Sequence, residues 1–168
     1  MVETQRKIYL DIETTGCDKE FNYITVIGAL DSETDEMIQL VQSKDLYRRN
    51  VKDLFNNKDI VVTFNGTGFD LPFIMRHFPG CVTCPNHRDL MIMGWRLGFK
   101  GGQKALEKRF NLTRNSGISN GRQAVKLWMQ HIKGDACALK KLLEYNKEDV
   151  LNMKKLEQEL EKIEASYH

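Results

Sequence analysis

The sequence contains no apolar run able to cross a bilayer. The longest, Tyr23 to Leu30, is broken by Thr25 and Gly28 and falls far short of the roughly 20 residues a membrane helix needs. Membrane contact is not expected. Nor is there an excess of one charge sign: Lys+Arg number 25 against Asp+Glu 23. That balance excludes a polybasic chain that grips nucleic acid by charge alone, so any such contact must rest on local clusters. The opening residues lack the apolar stretch and small-residue cleavage site of a signal peptide. Four cysteines, Cys17, Cys81, Cys84 and Cys137, are scattered rather than spaced as a disulfide framework. A cytoplasmic protein with reduced thiols is the expectation. Internal repeats and low-complexity linkers are also missing. Neither G-T-G-F-D nor K-G-G-Q-K completes a dinucleotide fingerprint or a P-loop.

What is present is one domain's worth of apolar residues, 41% of 168, enough for a single core over residues 1–168. Lys7 to Glu13 (KIYLDIE) is rich in β-formers and runs into Thr14-Thr15-Gly16, so a strand ending in acids is expected there. Asn22 to Leu30 and Met37 to Gln42 follow as strands two and three of a meander. A helix is expected over Lys44 to Phe55, and a buried strand over Ile60 to Phe64, a short continuous apolar run. Helices from about Leu71 to Phe78 and Leu90 to Leu97 bracket a brief extended piece at His87. Three more, near Gln103 to Phe110, Arg122 to His131 and Ala136 to Glu164, complete the chain. The order predicts an α/β fold: a five-stranded mixed sheet, three antiparallel strands joined to two parallel ones, flanked by helices. Arg114 to Gly121 (RNSGISNG) is polar and Gly/Asn/Ser-rich and reads as a mobile loop.

Asp11 and Glu13, two apart on a strand, project from the same face. Two acids at the end of an apolar strand repel each other and lose hydration unless a cation or solvent compensates them. A divalent metal resolves that conflict; a solvated strand end is the plain alternative. Asp70 follows the buried strand in FNGTGFDLP, and Asp149 lies in YNKEDV on the last helix. Tyr145 and Asp149, at i and i+4, share a helix face, so a phenol oxygen and a carboxylate can meet around one water. Leu142, Leu143 and Val150 can anchor that helix, while Glu148 is expected to point away into solvent.

The segments Y-L-D-I-E-T-T-G, F-N-G-T-G-F-D-L-P and Y-N-K-E-D-V resemble, in order and spacing, the three exonuclease motifs of the DEDD, or DnaQ-like, superfamily. Tyrosine four residues before the last aspartate is similar to the DEDDy branch, and the middle motif most resembles the YprB-like ribonuclease H-like group. The likeness runs from about Lys7 to Leu156. It implies an RNase H-like fold, two Mg²⁺ or Mn²⁺ ions, and stepwise release of nucleoside 5′-monophosphates from a 3′ end. In the family's scheme the ions clamp the scissile phosphate. Asp11 then bridges them, Glu13 and Asp149 complete the site of the ion that activates water, Asp70 holds the second ion, and Tyr145 orients the nucleophile. All-oxygen ligands suit these hard ions better than zinc.

Other residues are candidates for holding substrate. Thr14, Thr15 and Gly16 could let backbone amides approach its end, Asn65 could bond a terminal nucleotide or cap its own turn, and Phe69 could stack on a base. Lys104, with Lys100 and Arg122, would contact phosphates. Cys81, Cys84 and His87 have part of a zinc spacing but no evident fourth ligand unless His77 or Cys17 folds in, and Asp89 reads as a helix cap. The expected partner is nucleic acid with a single-stranded 3′ end, and the expected enzyme a 3′-5′ exodeoxyribonuclease or exoribonuclease. A catalytically silent binding module of the same fold and a structure-specific endonuclease are the alternatives. DNA and RNA are not distinguished, because that choice depends on contacts to the sugar 2′ position.

Overall fold

A computed structural model describes residues 5–118 and 120–167. Its order is β1 (Lys7–Thr14), β2 (Ile24–Asp31), β3 (Met37–Val41), α1 (Arg48–Leu54), β4 (Ile60–Thr63), α2 (Asp70–His77) and β5 (Asn86–Asp89). Then come α3 (Leu90–Arg96), α4 (Gln103–Arg109), α5 (Gly121–Ile132) and α6 (Ala136–Ser166). The strands form one sheet in the order β3-β2-β1-β4-β5. β1 pairs antiparallel with β2, and β2 with β3; β4 lies parallel to both β1 and β5. This is the mixed five-stranded sheet that the sequence predicts, an RNase H-like architecture. Among the described residues no helix is long and apolar enough to cross a membrane.

Strand alternation sorts β1 into two faces. Ile8, Leu10 and Ile12 pack with Val51, Leu54, Phe55, Phe73 and Ile74 of the α1/α2 layer. Tyr9 faces the other way, onto Val150, Met153, Leu156 and Leu160 of α6. Asp11 and Glu13 share Tyr9's parity, so they lie under α6. The parallel pairing of β1 and β4 covers only Lys7↔Ile60 to Tyr9↔Val62. Beyond it the strands part, opening the crevice at the carboxyl ends of parallel strands where α/β folds bind ligands.

One expectation fails at a helix start. Residues 44–47 do not join α1, which begins at Arg48. The amides of Lys44, Asp45 and Leu46 all donate to the Val41 carbonyl, and the Asp45 carboxylate accepts from the Val41 amide at 2.6 Å. A side chain that bonds its own local backbone favours a turn over a helix, and the apolar spacing does not reveal that competition.

The longest element, α6, has 31 residues. Asp135 caps it, accepting from the amides of Cys137 and Ala138 at 2.9 and 3.2 Å. Leu142, Val150, Met153, Leu156 and Leu160 are fully buried, each contributing roughly 1.5–3 kcal/mol. At its distal half the buried Glu157 accepts from Tyr9 Oη at 2.5 Å, Lys7 Nζ at 3.0 Å and Arg88 Nη1 at 2.5 Å, clamping α6 to β1 and β5. At its proximal half the helix presses an asparagine, Asn146, against β2. A Cβ at Gly28 would lie 2.1 Å from Asn146 Oδ1, so only glycine fits beneath it.

Gly28→Ala should therefore destabilise the protein by about 1–3 kcal/mol, as overpacking does, because Asn146 cannot yield without losing its bonds to the sheet. The midpoint of urea unfolding measures this; a midpoint equal to wild type would mean that Asn146 steps aside freely.

Candidate active site

Asp11, Glu13 and Asp149 present carboxylate oxygens that all lie within 4.8 Å of one another. Each is placed by a different demand of the fold. Asp11 stands opposite Gly28 and Glu13 opposite Val26 in the β1–β2 register; Asp149 comes down from α6 between the buried Tyr145 and Val150. Among the described residues this is the one group of three or more metal-capable side chains.

Asp70 is adjacent but separately held. Where β1 and β4 part, the Ile12 amide donates to Asp70 Oδ1 at 3.1 Å, and the carboxyl sits in the first turn of α2, where a helix favours negative charge. Burial nevertheless pushes Asp70 up to about 7, with Asp89 and Asp149 adding to the rise against the backbone bonds. Burial, then the neighbouring acids, hold Asp11 and Glu13 well above the usual carboxylate range. Asp149 is raised by burial, though Arg114 and Lys104 oppose the shift. Buried acids that repel one another and are all oxygen donors fit Mg²⁺ or Mn²⁺.

Tyr145 stands beside Asp149 with its hydroxyl 2.8 Å from Lys104 Nζ, which also lies 4.4 Å from the ring centroid. Burial, followed by the charges of Asp149, Glu13 and Asp11, raises the phenol's pKa above its ordinary value. It is a hydrogen-bonding group here rather than a base.

Two cavities meet at the Tyr145–Asp149 pair. The first, about 600 Å³, includes Asp11, Glu13, Thr14, Gly16, Phe69 and Arg122 in its wall. The second, about 550 Å³, takes in Asn65, Met91, Gln103 and Lys104, and Asn120 and Gly121 border both. Thr14, Gly16, Asn65, Phe69, Lys104 and Arg122 thus reach the cleft. Thr15 does not: its hydroxyl donates to Asn22 Oδ1 at 3.1 Å in the β1–β2 loop. Lys100 is absent from both linings. The Asn65 turn is held from outside the cleft, since Asp89 accepts from the amides of Asn65, Thr67 and Met91. Asp89 is therefore a cap of α3 and a clasp on that turn. Cys81 and Cys84 direct their thiols at the Arg48 and Phe55 carbonyls, and His87 Nε2 lies 2.8 Å from Thr63 Oγ1, three separate engagements.

Several supporting residues escaped the sequence reading. Asn146 donates to Asp11 Oδ2 at 2.9 Å and itself accepts from Gln39 Nε2 at 2.9 Å, while Gln39 also donates to the Leu143 carbonyl. The signal was available: Leu142, Tyr145, Asn146, Asp149 and Val150 form one buried stripe, and an amide in such a stripe demands partners. Arg114 is the second omission. It pairs with Glu107, Glu148 and Asp149. Glu148 is not the solvated residue expected, for it accepts from the amides of Asn115 and Ser116 and from Ser116 Oγ. These contacts pin the start of the loop expected to be mobile; Ser119 within it lies outside the described residues.

A family model described as the RNase_H superfamily matches residues 8–161. No curated protein sequence matches the chain. Among solved structures, a family B DNA polymerase from the archaeon Pyrobaculum calidifontis superposes with TM-score 0.70 at 15% identity, covering 94% of this chain and 25% of the polymerase. The chain thus spans a quarter of that protein's length. Brucella melitensis NrnC bound to pGG gives TM-score 0.65 at 15% identity, covering 93% of this chain and 72% of NrnC. NrnC with bound Mg²⁺ gives 0.64 at 18% identity with the same coverage. At these identities the likeness is one of fold.

An acid whose pKa is raised in the folded state keeps its proton where the unfolded chain has lost it. Its stabilisation is complete below about pH 4 and is lost as pH rises through the folded value, about 7 for Asp70. In EDTA the melting temperature should therefore fall between pH 5 and pH 8, and Asp70→Asn should flatten the slope. A melting temperature rising over that interval would contradict the burial of these acids.

Proposed function

This chain belongs to the RNase H superfamily, and from that premise we propose that it is a metal-dependent 3′-5′ exonuclease of the DEDDy type acting on single-stranded DNA or RNA. In pattern it is nearest the YprB-like group and works as a single domain. The observation that carries this reading is the carboxylate set of half-buried Asp11 and buried Glu13 and Asp149, whose oxygens lie within 4.8 Å of one another beside Tyr145. Mg²⁺ in one structure of a fold relative and pGG in another give it further support.

Asp11, Glu13 and Asp149 would hold one divalent ion, with Asp11 shared and Asp70 serving a second. Two such ions in general lower the pKa of an attacking water and stabilise the leaving oxygen. The chain's own groups do the rest. Tyr145 orients the water through its hydroxyl, since a phenol with an ordinary pKa of about 10 is already protonated near neutral pH. Lys104 Nζ fixes the phenol oxygen and supplies positive charge at the junction of the two cavities. Asn146 holds Asp11 in the orientation that faces Glu13. Thr14, Gly16, Asn65 and Phe69 line the two cavities that meet at Tyr145 and Asp149, where the substrate would lie, and Arg122 in the wall of the first would meet the strand's backbone. Thr15 acts indirectly, by bracing the turn that carries Gly16.

End-labelled single- and double-stranded DNA and RNA, incubated with Mg²⁺ or Mn²⁺ or with EDTA, test the proposal. A ladder shortening from the 3′ end, lost in EDTA, is expected. Internal cuts would make the enzyme an endonuclease, and intact substrates a binding module. Asp11→Ala should lower turnover by at least about 100-fold, beyond the usual cost of losing an indirect support of a metal site. Tyr145→Phe should slow turnover about 100-fold, the order of loss expected when a reacting group is misplaced by about 1 Å, with Mn²⁺ binding retained. Unchanged turnover in Tyr145→Phe would remove the phenol from the mechanism.

A further inference from the structure

Arg114 follows α4, outside the three motif segments, and its guanidinium is the largest positive group in contact with the carboxylate cluster. Its side chain is only 16% exposed. Nε and Nη2 both donate to Glu107, a nearly fully buried acid, the second at 2.7 Å. The same Nη2 also donates to Asp149 Oδ1, and Nη1 lies 3.5 Å from Glu148 Oε2. A planar fork can hydrogen-bond two carboxylates at fixed angles while its third nitrogen, Nη1, faces Glu148 by charge alone, without a hydrogen bond; an ammonium lacks that fixed geometry. Glu107 is itself fixed by Gln103 Nε2 at 2.8 Å, and that amide also donates to the Asp149 carbonyl. Arg114 is thus mounted on α4 and grips Asp149 from behind.

The residues after it extend the connection. The amides of Asn115 and Ser116 are tied to Glu148, the residue before Asp149. Four residues further on, Asn120 and Gly121 border both cavities. One short stretch of chain therefore touches a carboxylate of the cluster at its start and the wall of the cleft at its end.

We propose that Arg114 is a positioning residue that aims Asp149 at the metal and couples loading of the metal to residues 115–118, whose first two amides are tied to Glu148 beside Asp149. The inference rests on reading Asp11, Glu13 and Asp149 as metal ligands. Removing a group that orients a ligand typically costs 10- to 100-fold in metal affinity. Simple charge repulsion would act oppositely, since deleting a cation beside the cluster should tighten cation binding.

Mn²⁺ alone is the probe, titrated without nucleic acid and followed by calorimetry or by the signal of free Mn²⁺. Arg114→Met should weaken binding about 10- to 100-fold. Arg114→Lys, which restores the charge without the fork, should remain clearly weaker than wild type. Binding in Arg114→Met that equals or exceeds wild type overturns the proposal, and so does full recovery with lysine. In the wild-type protein Mn²⁺ should slow amide hydrogen exchange over residues 115–118. Unchanged exchange overturns the coupling even if the variants fail to fold. A wild-type protein that binds no Mn²⁺ refutes the metal reading and this proposal together, whereas equal binding by wild type and Arg114→Met refutes the role of Arg114 alone.

Discussion

Packing Asp11, Glu13 and Asp149 within 4.8 Å of one another sets a constraint that the surrounding structure is built to withstand. Two like charges 4 Å apart repel by on the order of 4 kcal/mol at an effective dielectric of 20. Burial adds a desolvation term to each. Opposing this are α6's five fully buried apolar side chains, at roughly 1.5–3 kcal/mol apiece, and the clamp of Tyr9, Lys7 and Arg88 on Glu157. The apolar packing of one helix is large enough to hold its acid against the other two. Protonation relieves the remaining strain in the absence of a cation, which is why the acids shift upward rather than splay apart.

Around that cluster the polar contacts divide into two chains of support. One runs from Gln39 on β3 through Asn146 on α6 to Asp11 on β1, passing over a β2 position that only glycine can occupy. The other runs from Gln103 and Glu107 on α4 through Arg114 to Asp149. The first fixes the strand acid from the antiparallel side of the sheet, the second the helix acid from the opposite flank. Asp70 belongs to neither, being held by the backbone where β1 and β4 separate.

The parts legible in the sequence are those governed by local periodicity. The strand over Lys7 to Glu13 and the buried run at Ile60 follow from alternation and composition, whereas the acids of the three motif segments stand out as a set only through their resemblance to the exonuclease motifs. Tyr145 and Asp149 follow from the helical i, i+4 relation. What could not be read depends on pairings far apart in the chain. The Asn146–Asp11 bond joins residues 135 positions apart, and Arg114 sits 35 from Asp149. The Asp45 turn replaced the expected start of α1 because one carboxylate found an amide four residues back, a contact invisible to hydrophobic spacing. Glu148 escapes local rules for the same reason, since its partners Asn115 and Ser116 lie on a loop whose path no local rule dictates.

The buried face of α6 carries Leu142, Tyr145, Asn146, Asp149 and Glu157 in one line, so that face works as a ruler graduated in helical turns. Each residue advances an α-helix by about 100°. Inserting or deleting a single residue between 149 and 157 would rotate either the acid or the distal clamp out of alignment. Length variation in this chain therefore belongs to the connections, such as residues 98–102 and 133–135, while α6 is a segment whose residue count is itself under constraint.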